Sequence, residues 1–365
     1  MLMKKGSREA LAQAEDYLAE IRSLAVKPFT IMEVCGTHTV AIAKHALREL
    51  LPPTVRLISG PGCPVCVTDS SDIDRYLFLA AQPKVITTTF GDMIRVPGSE
   101  KNLQALRAEG ADVRVVYSTQ DALEVARKNP DKEVVFLGVG FETTAPTVAV
   151  SLETARREGL NNYSVLSMHK IVPPVLRLLA EDPKLDIDAF LDPGHVCAII
   201  GLKPLEFMAQ EFGKPGVVTG FEALDILEAI AMLLRQRSER RANIEIQYHQ
   251  VVRAEGNPHA QRAVERVFKP VDASWRGMGL IPGSGLEIRA EFGPWDAVRK
   301  FSLPQFYSPD TPGCQCGEVL KGRIDPPQCS LFGKRCTPLK PVGPCMVSSE
   351  GSCAAYYRYS QRSDD

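Results

Sequence analysis

The stretch VRLISGPGCPVC, Val55 to Cys66, sets the reading of the whole chain. Its first half, VRLIS (55–59), is a short β-branched and apolar run of strand length. Its second half breaks that strand with Gly60, Pro61 and Gly62, then presents Cys63 and Cys66 with two residues between them. A strand that runs into a glycine-rich loop bearing reactive side chains is the local signature of an open α/β sheet. In such sheets ligands bind outside the carboxyl ends of the strands.

The same signature recurs along the chain. FTIMEV (29–34) leads into CGTHT, KVITTTF (84–90) into GDMIRVPG, and EVVFLGV (133–139) into GFETTAP. YSVLSM (163–168) leads into His169 and Lys170, and the short run AFL into DPGHV. VRVVYS (113–118) and GVVTG are further strand candidates. Helical patterns such as TVAIAKHALRELL, DIDRYLFLAAQ, NLQALRAEG, TVAVSLETARREG and ALDILEAIAMLLRQR lie between them. Alternation of this kind predicts α/β folding with mostly parallel sheets. Two such sheets facing each other would gather the strand-end loops around one cleft. From about residue 270 the texture turns to Gly, Pro and Cys without long periodic runs, which predicts a smaller, loop-rich unit that a metal could hold together. The expected division is 1–120 and 121–240 for two α/β domains and 241–365 for the Cys-rich unit.

A chain of 365 residues with 44% hydrophobic content can bury more than one core. Its 43 basic and 44 acidic residues are mixed, with no basic stripe, which argues against nucleic acid or an anionic membrane. No apolar run approaches the roughly 20 residues needed to span a bilayer. The N-terminal segment has two lysines but no apolar signal core and predicts an amphipathic helix capped near Ser7. These features together predict a cytoplasmic protein. Ten cysteines then point to metal or thiol chemistry rather than to a disulfide framework.

Cys63 and Cys66 are close enough in sequence for a disulfide or for shared metal ligation, or they are two small buried side chains in a turn. A zinc ribbon would need a second C-x-x-C, and the sequence has none. Cys35 sits at a strand-to-helix junction with His38 three residues on. A helix N-terminus and a nearby imidazole would lower its pKa and make it a thiolate nucleophile or soft-metal ligand. Asp92, Arg95, Glu142, Asp192 and His195 are candidate supporting or proton-handling groups around the cleft. Each has an equally ordinary reading as a helix cap or loop anchor. GVGFET lacks the third glycine of a dinucleotide fingerprint, and no P-loop pattern occurs.

Six cysteines fall between Cys314 and Cys353. Four thiolates can hold an iron–sulfur cluster or a structural zinc. The set Cys314, Cys329, Cys336 and Cys353 leaves 14, 6 and 16 intervening residues and sets aside Cys316 and Cys345 as a second dithiol. Chemistry alone selects neither this set over another nor iron over zinc.

EVCGTHT, GPGCPVC, TFGDMIRVPG, GFETTAP, DPGHV with IIG, and CMVSSEGSCAAYY, in this order and over essentially the whole chain, resemble the HypD family of [NiFe]-hydrogenase maturation factors. The resemblance implies two α/β domains flanking a cleft and a third domain carrying a [4Fe–4S] cluster. It implies a complex with the chaperone HypC that scaffolds an Fe(CN)₂CO unit destined for the hydrogenase large subunit. Cyanide would arrive from HypE, which makes it from carbamoyl phosphate supplied through HypF. Carried onto this sequence, Cys35, Cys63 and Cys66 are the cleft thiols, with His38 beside them; Cys35 would be the principal iron ligand, and Cys63 and Cys66 would either bind the iron as well or cycle between dithiol and disulfide. Cys314, Cys329, Cys336 and Cys353 match the cluster ligands, and Cys316 with Cys345 the additional redox pair. Cys197 has no implied role and reads as a small buried residue. The chain is then a cofactor-assembly scaffold with redox-active thiols rather than a stand-alone enzyme. An iron–sulfur-dependent thiol–disulfide oxidoreductase is the alternative.

Overall fold

The computed structural model describes residues 7–309 and 311–359. The segment expected to be an N-terminal helix is helical over Ser7–Leu24, with the Ser7 cap itself outside the side chains described. Eleven strands follow among the described residues: β1 Phe29–Glu33, β2 Val55–Ser59, β3 Val85–Thr89, β4 Asp112–Val115, β5 Glu133–Gly138, β6 Tyr163–Ser167, β7 Ala189–Pro193, β8 Gly216–Thr219, β9 Ile244–Ile246, β10 Phe268–Trp275 and β11 Gly279–Ile288. The strand runs anticipated from β-branched content lie where expected, to within three residues at their ends.

Two all-parallel sheets form the frame. One has the order β2-β1-β7-β8-β9 and the other β4-β3-β5-β6. Both are covered on two faces, as parallel sheets require. Alternation along β1 shows how. Ile31 points to a core shared with helices Ser7–Leu24 and Ala223–Ser238, among Ile21, Ile226 and Ile230. Met32 and Val34 point the other way, into a core that also takes Val135, Leu137 and Leu166 from the second sheet. The two sheets therefore face each other across one common core, and the cysteines at 63, 66, 197, 316, 336, 345 and 353 are part of it. The outer face of the second sheet, with Val134, Phe136 and Val165, packs on helix Ala145–Glu158 through Val148 and Leu152.

The sheets do not follow the contiguous division at 120 and 240. The chain leaves the first sheet after β2, lays down the whole second sheet, then returns so that β7 pairs with β1. A cut at 120 falls between β4 and β5 of one sheet, and a cut at 240 separates β8 from its partner β9. Parallel strands need long crossovers, so adjacency in sequence does not decide which strands become neighbours.

The region after 270 also holds more order than its texture suggests. β10 and β11 form an antiparallel ribbon around Gly277 and Gly279, both in the left-handed region (φ 69° and 76°). Pro270, Pro282 and Gly285 hide its periodicity, and a two-stranded ribbon tolerates them because it is all edge. Among the described residues no helix is long and apolar enough to cross a membrane.

Candidate thiol site

The loops after β1 and β2 are locked together by their backbones. Gly60 N donates to Glu33 O (2.8 Å), and Gly36 N donates to Gly62 O (3.0 Å). A Cβ at Gly62 would lie 2.3 Å from Cys35 N, so only glycine lets the two loops close. Cys35 is the residue preceding helix Gly36–Lys44, in extended conformation (φ −150°, ψ 127°), and is 8% exposed. Cys63 plays the same part for the short helix Pro64–Val67, where its Sγ accepts from Cys66 N (3.2 Å). Cys63 and Cys66 are joined as a disulfide, with Cα atoms 5.2 Å apart.

Two carboxylates that the sequence reading passed over complete this place. Glu33 is fully buried at the end of β1. Its Oε1 accepts from Thr39 Oγ1 (2.6 Å) and its Oε2 from Cys35 N (3.4 Å). Burial raises its pKa to about 7. Glu350, from the C-terminal segment, accepts from Thr37 Oγ1 (2.9 Å), and a Cβ on Gly36 would meet its own Cβ at 2.5 Å. The only sequence signal for Glu350 was its place in CMVSSEGSC, more than 300 residues from Cys35.

Cys35 does not have the lowered pKa that its helix position suggested. Burial, with the Glu350 carboxylate adding to it, pushes the thiol up to about 12, against the backbone N–H groups of Thr37 and His38. His38 does not help. It is fully buried, and burial lowers its pKa to about 4, so the ring is neutral at pH 7. Its Nε2 lies 3.0 Å from Gly220 O. A carbonyl can only accept, so Nε2 carries the proton and Nδ1 keeps a lone pair that no protein group satisfies. Phe221 stacks on this ring (5.0 Å) and on that of His195 (4.0 Å), which is exposed at the rim.

Asp192, at the end of β7, is wholly buried, and neither carboxylate oxygen has a protein partner. Burial alone raises its pKa to about 8. Glu142 accepts from Val172 N (2.9 Å) and lies near an apolar cavity that no cysteine lines, while its charge, like those of Asp192 and Cys35, bears on the Cys197 thiol. Asp92 and Arg95 are exposed, and Arg95 Nη2 donates to Pro338 O (2.9 Å). Cys197 is fully buried.

The six C-terminal cysteines, spread over loops and the short helices Cys316–Leu320, Pro344–Met346 and Ser352–Tyr359, all line one cavity with Val319, Leu331, Phe332 and Met346. Cys316 is central: bonds from Cys314 and Cys345 hold its pKa well below the usual thiol range. Cys345 is correspondingly held high by its bonds to Cys316 and Cys353. A set of soft sulfurs around one apolar cavity is suitable donor chemistry for an iron–sulfur cluster, and also for zinc. Among the described residues no group of three or more His, Cys, Asp or Glu side chains is arranged to hold a metal ion. The turn Pro344–Met346, which carries Cys345, packs on helix Pro64–Val67, which carries Cys66. The elements that carry the two sets of thiols are thus neighbours.

Comparison with known proteins identifies the family. The family model HypD, described as "Hydrogenase formation hypA family", matches residues 12–360. The chain is 46% identical over 362 residues to hydrogenase maturation factor HypD of Rhodobacter capsulatus, covering 98% of this chain and 95% of that protein. It is 45% identical over 362 residues to the HypD of Escherichia coli (strain K12), covering 98% and 97%. With HypD of Cupriavidus necator the identity is 44% over 344 residues, covering 92% and 91%. The chain belongs to the HypD family of hydrogenase maturation factors.

Proposed function

We propose that this maturation factor is a scaffold on which an Fe(CN)₂CO unit is assembled in complex with the chaperone HypC, before transfer towards the hydrogenase large subunit. HypE is the cyanide donor in this reading. The observation that carries it is the meeting of Cys35, the Cys63–Cys66 pair and Glu350 at one backbone-locked junction.

Low-spin iron with cyanide and carbonyl ligands favours soft thiolates in a site sheltered from water. Cys35 is the proposed iron ligand from this chain. Its raised pKa means that binding must displace a proton, and metal affinity then rises with pH. Buried Glu33 accepts from the Cys35 N–H and so helps fix the loop that carries the thiol. Cys314, Cys329, Cys336 and Cys353 would hold a [4Fe–4S] cluster, which when bound supplies single-electron transfer. Cys316 and Cys345 can exchange with the Cys63–Cys66 disulfide in a balanced step. Their two thiols are oxidised to a disulfide while Cys63 and Cys66 gain the two hydrogens. The packing of the Cys345 turn on the Cys66 helix supports that exchange.

Infrared spectra of the anaerobically purified complex with HypC test the assignment. Cys35→Ala should abolish the cyanide and carbonyl bands, and wild-type bands in that variant would sink it. Iron and acid-labile sulfide should accompany a broad visible absorption in the protein alone. A colourless protein with stoichiometric zinc would overturn the cluster. The Cys63–Cys66 disulfide also favours a second reading, a thiol–disulfide oxidoreductase. That enzyme would reduce generic protein disulfides without HypC, whereas a scaffold would not.

A further inference from the structure

Arg276 stands between the two sets of thiols. It follows Trp275 at the end of β10, and Trp275 forms an antiparallel bridge with Thr68. The Arg276 backbone N donates to Val67 O (2.9 Å) and its Nε to Thr68 O (3.0 Å). Both bonds close off the C-terminal end of the short helix Pro64–Val67 that carries Cys66. In the other direction the chain turns at Gly277, which lies against Gly317, the residue after Cys316. A Cβ on Gly317 would stand 2.7 Å from Gly277 Cα, so only glycine lets the ribbon turn and helix Cys316–Leu320 come this close.

The side chain between these two contacts is a buried cation. Arg276 is 3% exposed. A guanidinium stays protonated at every pH a folded protein meets, and burying it is costly unless carbonyl oxygens or negative charge answer it. The Thr68 carbonyl supplies one such contact. The charge also reaches the sulfurs: bonds from Cys314 and Cys345 hold the Cys316 pKa low, and the Arg276 cation lowers it further. Cys316 lines the cavity that all six C-terminal cysteines share. A cluster bound there by four thiolates would carry net negative charge, and each electron it accepts adds one more. A fixed cation in a buried place favours the more negative form and is screened little by solvent.

We propose that Arg276 is the residue that raises the reduction potential of the C-terminal metal group, acting through its buried charge and taking no ligand position. An external one-electron reductant supplies the electron, and the guanidinium neither gains nor loses a proton. The charge sits between the sulfur cavity and the disulfide helix. This inference rests on the proposed cluster.

The test is a potentiometric titration of the anaerobically purified full chain with dithionite, followed by visible absorption. Arg276→Gln keeps an N–H donor for Thr68 O and loses the charge. Its equilibrium constant for one-electron reduction should fall about tenfold, a midpoint about 59 mV lower. Arg276→Lys keeps the charge and should stay within about threefold of the wild type. Equal midpoints in all three chains overturn the inference. So do equal shifts in the Gln and Lys variants, the mark of a residue that only holds the loop. A chain without a reducible chromophore overturns the cluster, and this inference with it. If neither variant folds, the wild-type chain labelled at arginine Nε decides: a slowly exchanging Nε–H signal should shift on reduction, and no responding signal overturns the inference.

Discussion

At the scale of the residue, the junction depends on an absent side chain and on buried carboxyls. Gly62→Ala puts a methyl 2.3 Å from Cys35 N, against backbone that cannot move without parting the two loops. Overpacking of this kind should cost about 1–3 kcal/mol, read as a lower urea midpoint with unchanged m-value. Glu142 carries a prediction about pH. Burial raises its pKa from 4.5 to about 7 in the folded chain. Between those values the folded state binds more protons than the unfolded one, so stability falls as pH rises and levels off above 7. The upper bound of the loss is about 3 kcal/mol, and Asp192 and Glu33 act in the same direction. Glu142→Gln should remove part of the decline in urea-derived stability between pH 5 and pH 8. Parallel pH profiles for variant and wild type would refute that account.

At the scale of the element, the ribbon β10–β11 braces the disulfide helix. Trp275 is fully buried, donates through Nε1 to Ser284 Oγ (2.8 Å) and stacks on Phe141 (6.0 Å). The next residue, Arg276, donates from its backbone N to Val67 O (2.9 Å) and from Nε to Thr68 O (3.0 Å), directly after Cys66. Trp275→Ala should therefore destabilise by about 3–5 kcal/mol. It should also loosen the Cys66 helix, so that after mild reduction Cys63 and Cys66 alkylate faster than in the wild type. Unchanged alkylation rates would separate the ribbon from the thiol site. This ribbon was illegible in sequence because its prolines and glycines break the alternation that identified the other strands. The three-residue β9 was missed for its brevity.

At the scale of the whole molecule, the two sheets share one core and interleave along the chain. A fragment ending at residue 120 holds β1 and β2 of one sheet and β3 and β4 of the other, without the partners that cover them. Expressed alone, it should lack a cooperative thermal transition, and the intact chain should unfold with coincident fluorescence and circular dichroism. A fragment that melts cooperatively would show that the first four strands are self-sufficient.

The sequence by itself determined where most strands lie and which motifs mark the family, and it nominated strand-end loops and cysteines for the proposed chemistry. Those features depend on residues near each other along the chain: alternation of side chains, glycine and proline breaks, and thiol spacing. Only the tertiary structure decided that β7 returns beside β1, that Glu350 reaches Thr37 next to Cys35, and that Glu142 accepts from Val172 N. It also reversed the expected pKa of Cys35. A helix N-terminus is a local and modest influence on a thiol, whereas desolvation depends on everything packed around it, and here desolvation dominates.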